Sequence, residues 1–241
     1  MTERQEKILI ALTKEYINSA EPISSEKLIE RYKLPYSSAT IRAELAELEE
    51  QGFLAQPHTS AGRIPTETAY RHYVDKIMPN RGLSRHDALV LKSEILNLTT
   101  KYNRLARGTA KLLADLSQNL AFAGMIERDE FHEAGFPELF KEPEITETEY
   151  MLDITKALET LDDRIDEIIA YINEEPQVFI GRENPYMSTK KISLLITTCD
   201  LPSGEKGLLG IIGPMRMKYE RNIQLLEIAA NTFKNIGSQY E

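Results

Sequence analysis

The chain is poor in cysteine, in long apolar runs and in positive charge. One cysteine, Cys199, in 241 residues excludes an intrachain disulfide framework and a CxxC metal site. The apolar stretch Ile192–Cys199 is only eight residues long and is interrupted by Ser193, Thr197 and Thr198. A membrane helix needs about 20 apolar residues, so an integral membrane protein is excluded. The opening MTERQEKI is charged throughout and has no apolar core of a secretion signal, which makes the cytoplasm the expected compartment. The net charge of −9 argues against a broadly basic surface. Any role with nucleic acid must rest on a local patch.

What is present is an ordinary globular composition, 41% hydrophobic and 28% charged, with room for one large domain or two small ones. Thr2 and Gln5 have the spacing of a capping box. Ile8, Leu9, Leu12 and Tyr16 follow at helical spacing, and Pro22 closes the helix. Ser24 and Ser25 can cap a short second helix, Glu26–Tyr32, that buries Leu28 and Ile29. After the turn Lys33–Tyr36, Ser37 and Ser38 precede a third helix with the buried stripe Ile41, Leu45 and Leu48, stopped by Gly52. Phe53-Leu54-Ala55 reads as a strand, residues 56–63 as a polar loop, and Ile64-Pro65-Thr66 as a return strand. Three helices, strand, loop and strand is the order of a winged helix-turn-helix over residues 1–75.

Charge is arranged to suit phosphate contact, but modestly. From Arg31 to Ala43 there are three cations and no acid, and from Gln51 to Thr66 there is Arg63 with His58 and again no acid. A helix N-terminus offers free N–H groups and the positive end of a dipole to an anion. Ser37, Ser38, Thr40 and Arg42 on the third helix, with His58, Thr59, Ser60 and Arg63 in the loop, are therefore the candidate DNA contacts. Against this, residues 1–75 carry nine cations and twelve acids. A winged helix that binds only protein stays open as the alternative.

A linker is expected at residues 76–83, where Met78-Pro79-Asn80-Arg81-Gly82 breaks the pattern. Beyond it, Leu91, Ile95, Leu98, Tyr102, Leu105, Thr109, Leu112 and Leu116 step by alternating fours and threes, an a/d pattern over almost four heptads. One long helix is expected. Leu91, Ile95, Leu98, Tyr102, Leu105 and Leu112 form either a dimer seam or a stripe packed on the helix's own domain.

The rest of residues 84–241 reads as α+β. Strands are expected at Ala121–Ile126, Gln177–Ile180, Lys191–Cys199 and Gly207–Ile212. The stretch 127–146 reads as irregular. Helices are expected at Glu147–Asn173, burying residues that include Leu152, and at Lys218–Ile236.

No constellation for catalysis or a cofactor stands out. His58 and Arg63 lack a nearby carboxylate, and the four histidines show no metal-ligand spacing. Cys199 lies in an apolar run, as a structural thiol does. Gly207, Gly210 and Gly213 lack the context of a phosphate loop and suit close strand packing. Arg216 fits a structural ion pair better than an anion site.

TERQEKIL, and then EPISSEKLIERYKLPYSSATIRAELAELEEQGFLAQPHTSAGRIPTETAYRHYVD, resemble the N-terminal domain of the HrcA family of bacterial heat-inducible transcription repressors. QVFIGREN and GLLGIIGPMRMKYERNIQLLE resemble its C-terminal half, whose core is GAF-like. The family is usually longer, so the middle of this chain corresponds to a reduced GAF-like domain without the inserted dimerisation domain. The resemblance implies a repressor of chaperone operons that binds an inverted-repeat, CIRCE-type operator in double-stranded DNA as a homodimer. It also implies control by the GroE chaperonin.

Overall fold

The computed structural model describes residues 1–58, 61–77, 83–99, 105–126, 130–139, 141, 148–185, 191–201 and 204–237. The chain divides into two compact units, Met1–Asn80 and Arg81–Glu241. The first is helical with a small ribbon, and the second is built on a β-sheet. Among the described residues no helix is long and apolar enough to cross a membrane.

The first unit opens with α1 (Glu3–Ser19). Thr2 and Gln5 form the reciprocal cap, and the helix ends at Ala20 in the left-handed region. Ser24 caps α2 (Ser25–Tyr32) and Ser37 caps α3 (Ser38–Glu50). Gly52, at φ +80°, turns the chain into β1 (Leu54–Ala55), which pairs antiparallel with β2 (Ile64–Pro65). The unit closes with α4 (Glu67–Ile77). Ile8, Leu9, Leu12, Ile23, Leu28, Ile41, Leu45 and Leu48 form one core with Leu54 and Ala69, so each helix contributes the stripe that its spacing sets out. Polar side chains lock α1 to α3: Gln5 Nε2 donates to Glu47 Oε2 at 2.7 Å, and Arg4 pairs with Glu44 at 3.2 Å.

In the second unit the heptad stretch is two helices, α5 (Arg85–Thr99) and α6 (Leu105–Ser117), and not one. They lie against each other. A Cβ on Gly108 would fall 2.4 Å from Leu98 Cδ2, whereas ten residues along one helix span about 15 Å. The expectation of a single long helix is corrected. A helix of 26 residues would run about 39 Å, and a nine-residue strand covers only about 30 Å. The fold-back lets α5 and α6 stay on the same small domain. The missing side chain at Gly108 leaves room for Leu98.

The sheet is fully antiparallel, in the order β4-β3-β7-β6-β5. Its strands are β3 (Leu120–Met125), β4 (Glu130–Ala134), β5 (Gln177–Ile180), β6 (Ile192–Asp200) and β7 (Lys206–Pro214). β4 lies in the stretch expected to be irregular and pairs with β3 from Ala121↔Ala134 to Met125↔Glu130. The alternation of side chains along strands sorts two faces. Leu120, Phe122, Ile192, Leu194, Ile196, Leu208 and Ile212 pack with Leu139 of α7 (Phe136–Leu139), Ile154 and Ala157 of α8 (Thr148–Asp163) and Ile168 of α9 (Ile165–Tyr171). The other face meets α6 and α10 (Tyr219–Gly237). There the Ser193 hydroxyl of β6 lies 2.7 Å from Tyr219 Oη.

Two further differences from expectation lie in α8 and α9. The helix expected over 147–173 is interrupted at Arg164, whose backbone leaves helical geometry. Leu152, expected to be buried, is 53% exposed.

The glycines of β7 are packing residues. A Cβ on Gly210 would lie 2.0 Å from the Phe122 ring, and one on Gly213 would lie 2.0 Å from Asn119 Oδ1. Residues 210–214, Met217 and Tyr219 are buried, while Lys218 is exposed.

Candidate nucleic-acid interface

The first unit gathers the expected contacts around α3 and the ribbon loop. Ser37 accepts the Thr40 backbone N–H at 3.1 Å, and the two hydroxyls lie 2.9 Å apart. Both side chains are therefore committed to the start of α3. The Ser38 hydroxyl donates to Glu26 Oε1 at 3.2 Å and lies 3.1 Å from Ser25 Oγ. Arg42 reaches back to α2. Its Nε donates to Ser25 Oγ at 3.3 Å and its Nη2 bonds Glu26 Oε1.

Glu26 stands in the first turn of α2, where free backbone N–H groups favour a carboxylate. Its own backbone N–H, with Arg42 and the Ser25 hydroxyl, pushes its pKa down to about 2. It is ionised over the whole physiological range.

Arg63 has a different job. Its backbone exchanges hydrogen bonds with Ile23, each at 2.9 Å. Its Nε lies 2.8 Å from Glu49 Oε2 near the end of α3. Only about a fifth of its side chain is exposed. Gly62 permits this contact, since a Cβ there would come within 2.5 Å of the Ile23 backbone. Gln56 Nε2 donates to the Ala61 carbonyl at 2.9 Å and closes the loop on itself. His58 is exposed. Thr59 and Ser60 lie outside the described residues. Ile23, Ser25, Glu26, Arg42, Gln56 and Arg63 line a groove of about 430 Å³ between α2, α3 and the loop.

The segments that lack acids in sequence are not free of acids in space. Arg42 meets Glu26, Arg63 meets Glu49, and Arg31 meets Glu15 at 3.6 Å. Residue spacing on α3 also shows what sequence reading missed. Ala39, Arg42, Ala43 and Ala46 are exposed together at helical spacing. Three short side chains leave Arg42 as the long member of the row and allow close approach to a neighbouring surface. Their periodicity is visible in the sequence once the buried stripe is known.

Three of the residues read as a dimer seam are buried within their own chain. Leu91 and Ile95 are completely buried on α5, which packs against α6 and α10, and Leu105 is buried on α6. Leu98 and Leu112 are half-buried. Tyr102 lies outside the described residues. The buried stripe of α6 runs through Ala106, Ala110, Leu113 and Ala114, one step round from Leu112 and Leu116.

Cys199 is buried, and loss of solvent pushes its thiol up to about 12. His72 bonds Glu6 at 3.1 Å and meets the Phe53 ring edge-on. Among the described residues no group of three or more His, Cys, Asp or Glu side chains could hold a metal ion.

The family profile described as "HrcA protein C terminal domain" matches residues 71–223. The heat-inducible transcription repressor HrcA of Desulforamulus reducens is 41% identical over 125 residues, which is 52% of this chain and 36% of that protein. That of Synechococcus elongatus is 44% identical over 122 residues, 50% of this chain and 35% of the relative. In these matches the chain spans about a third of the relatives' length. With the HrcA of Caldanaerobacter subterraneus subsp. tengcongensis the match is 27% identical over 337 positions and covers 99% of this chain and 97% of that one. An alignment longer than the chain means that this relative carries segments absent here. A solved structure described as a hypothetical protein at 2.2 Å resolution shares the fold, with a TM-score of 0.77, 21% identity and 99% coverage of both chains. By its sequence over most of its length, the chain belongs to the HrcA family.

Proposed function

We propose that the chain is a sequence-specific, DNA-binding transcription repressor of heat-shock chaperone operons. The first unit acts as a winged helix-turn-helix, with α3 as its recognition helix and the β1–β2 loop as its wing. The second unit acts as a reduced GAF-like regulatory domain. The operator is an inverted repeat of the CIRCE type, bound by a homodimer, because two-fold protein symmetry calls for two-fold DNA symmetry.

The observation that carries this reading is the exposed row Ala39, Arg42, Ala43 and Ala46 on a helix whose N-terminus is capped and whose other face is locked into the core. A helix enters a major groove with such a face, its arginine on base edges and its alanines against thymine methyls. Ser37, Ser38, Thr40, His58 and Arg63 are further contacts in the proposal, with Thr59 and Ser60 added from the sequence alone. Membership of a family whose curated relatives are named transcription repressors supports it.

The pairing of Arg42, Arg63 and Arg31 with acids favours a second reading, a winged helix that contacts protein only. A gel shift of the full chain over a series of salt concentrations separates the two. The proposal expects retention of an inverted-repeat duplex that weakens steeply with salt and half-site binding much weaker than that of the full repeat. No retention at low salt would overturn it. Control by the GroE chaperonin belongs to the proposal through the family alone and is tested by adding purified chaperonin to the same assay.

A further inference from the structure

An arginine side chain has two hydrogen-bonding edges, Nε with Nη2 and Nη1 with Nη2. In Arg42 the first edge is taken by α2: Ser25 Oγ accepts from Nε at 3.3 Å and Glu26 Oε1 accepts from Nη2. Among the described residues Nη1 has no hydrogen-bond or ion-pair partner, and the side chain is 68% exposed. The guanidinium is thus held from behind with its outer edge open, on the exposed face of α3.

The holders have partners of their own. Ser25 is buried at the start of α2. Glu26 accepts a second bond from the Ser38 hydroxyl, and its ionised form is stabilised by its own backbone N–H. Two groups of α2, the Ser25 hydroxyl and the Glu26 carboxylate, hold the arginine, and the Ser38 hydroxyl of α3 contacts both of them.

We propose, on the footing of the DNA-binding reading above, that Glu26 with Ser25 is a positioning pair that orients Arg42 to read a guanine in the major groove. Guanine presents two acceptors there, O6 and N7, spaced for the Nη1–Nη2 edge of an arginine. Holding the guanidinium in place beforehand removes the cost of ordering a long side chain on binding. The geometry also explains why an acid stands on a surface that meets phosphates. Glu26 repels the backbone of any duplex but secures the one side chain in the row able to hydrogen-bond a base edge. It raises selectivity at the expense of general affinity.

That trade has a signature a simple ion pair lacks. The probe is an inverted-repeat duplex selected by the wild-type chain from a random-sequence library. It is compared with single base-pair replacements across one half-site and with an unrelated duplex of equal length, all measured by fluorescence anisotropy at fixed salt. Wild type should prefer guanine at one half-site position by about 10-fold or more. Glu26→Gln should lose most of that preference while its binding to the unrelated duplex rises severalfold. Glu26→Asp, which keeps the charge but shortens the reach, should lose the preference without that rise. Arg42→Ala should flatten the same position, and adding Glu26→Gln to it should change the preference no further.

Equal gains by Glu26→Gln on selected and unrelated DNA would show that Glu26 merely competes with phosphate and would overturn the proposal. So would an unchanged guanine preference in a variant whose melting curve matches wild type. Failure of the wild-type chain to retain any duplex would instead remove the DNA-binding reading on which this one rests.

Discussion

Arg63 and Glu49 join the ribbon loop to the end of α3 through an Nε–Oε2 contact of 2.8 Å. With the backbone bonds from Arg63 to Ile23, this makes Arg63 a brace at the root of the loop. A partly exposed pair of this kind contributes about 1 kcal/mol or less, so Arg63→Ala should lower thermal stability only slightly. Gly62→Ala is expected to do more. Its Cβ would meet the Ile23 backbone, and overpacking of that sort costs about 1–3 kcal/mol. Melting curves of the two variants should show Gly62→Ala as the less stable. Equal stability would mean that the loop separates easily from Ile23.

For Leu98 the contact with Gly108 sets the expectation. Leu98→Asp places a carboxylate in a seam between two helices of one chain, at a cost of several kcal/mol when unpaired. The melting temperature should fall, with no clean conversion of a dimer into a folded monomer. Sedimentation on the same preparation checks this. A fully stable, monomeric variant would restore the seam to an interface between chains.

Tyr219 is fully buried. Its hydroxyl donates to the Met215 carbonyl at 2.6 Å and lies 2.7 Å from Ser193 Oγ. Tyr219→Phe keeps the ring but leaves those groups short of a partner. We expect a loss of about 1–3 kcal/mol, seen as a lower denaturant midpoint at unchanged slope. An unchanged midpoint would show that the hydroxyl contributes nothing net.

The second unit should be most stable near neutral pH. The Asp200 carboxyl is lowered by its hydrogen bond to Lys206, and Glu174 by its bond to Lys234. Their contribution is present above the unfolded carboxylate range, about pH 4, and is lost as pH falls through the depressed folded values. Cys199 acts on the other side. Its folded thiol is raised to about 12 by burial, while an unfolded thiol ionises near about 8.5. Below that pH both states keep the proton. Above it only the unfolded chain releases it, so stability falls as pH rises towards 12. Denaturant midpoints from pH 3 to pH 10, for wild type and Cys199→Ala, test both limbs. The alanine variant should show a shallower alkaline decline, and an identical decline would remove Cys199 from the account.

Local pattern by itself determined the first three helices of the first unit, their caps at Thr2, Ser24 and Ser37, and the core stripe Ile41, Leu45 and Leu48, whereas α4 was not read from it. These depend on neighbours within four positions, where spacing and capping chemistry act directly. The resemblance over the first 75 residues depends likewise on contiguous sequence. Tertiary structure decided what contiguity cannot carry. A heptad pattern states which residues are apolar on one side but not what covers them, and only the approach of Leu98 to Gly108 shows that Leu91, Ile95 and Leu105 are covered by their own chain. The strand Glu130–Ala134 has little β pattern of its own and exists through its ladder with β3. The electrostatics of the candidate interface follow the same rule. Arg42 and Arg63 stand in acid-free stretches of sequence, but charge acts through space, and folding brings Glu26 and Glu49 to them from 16 and 14 residues away.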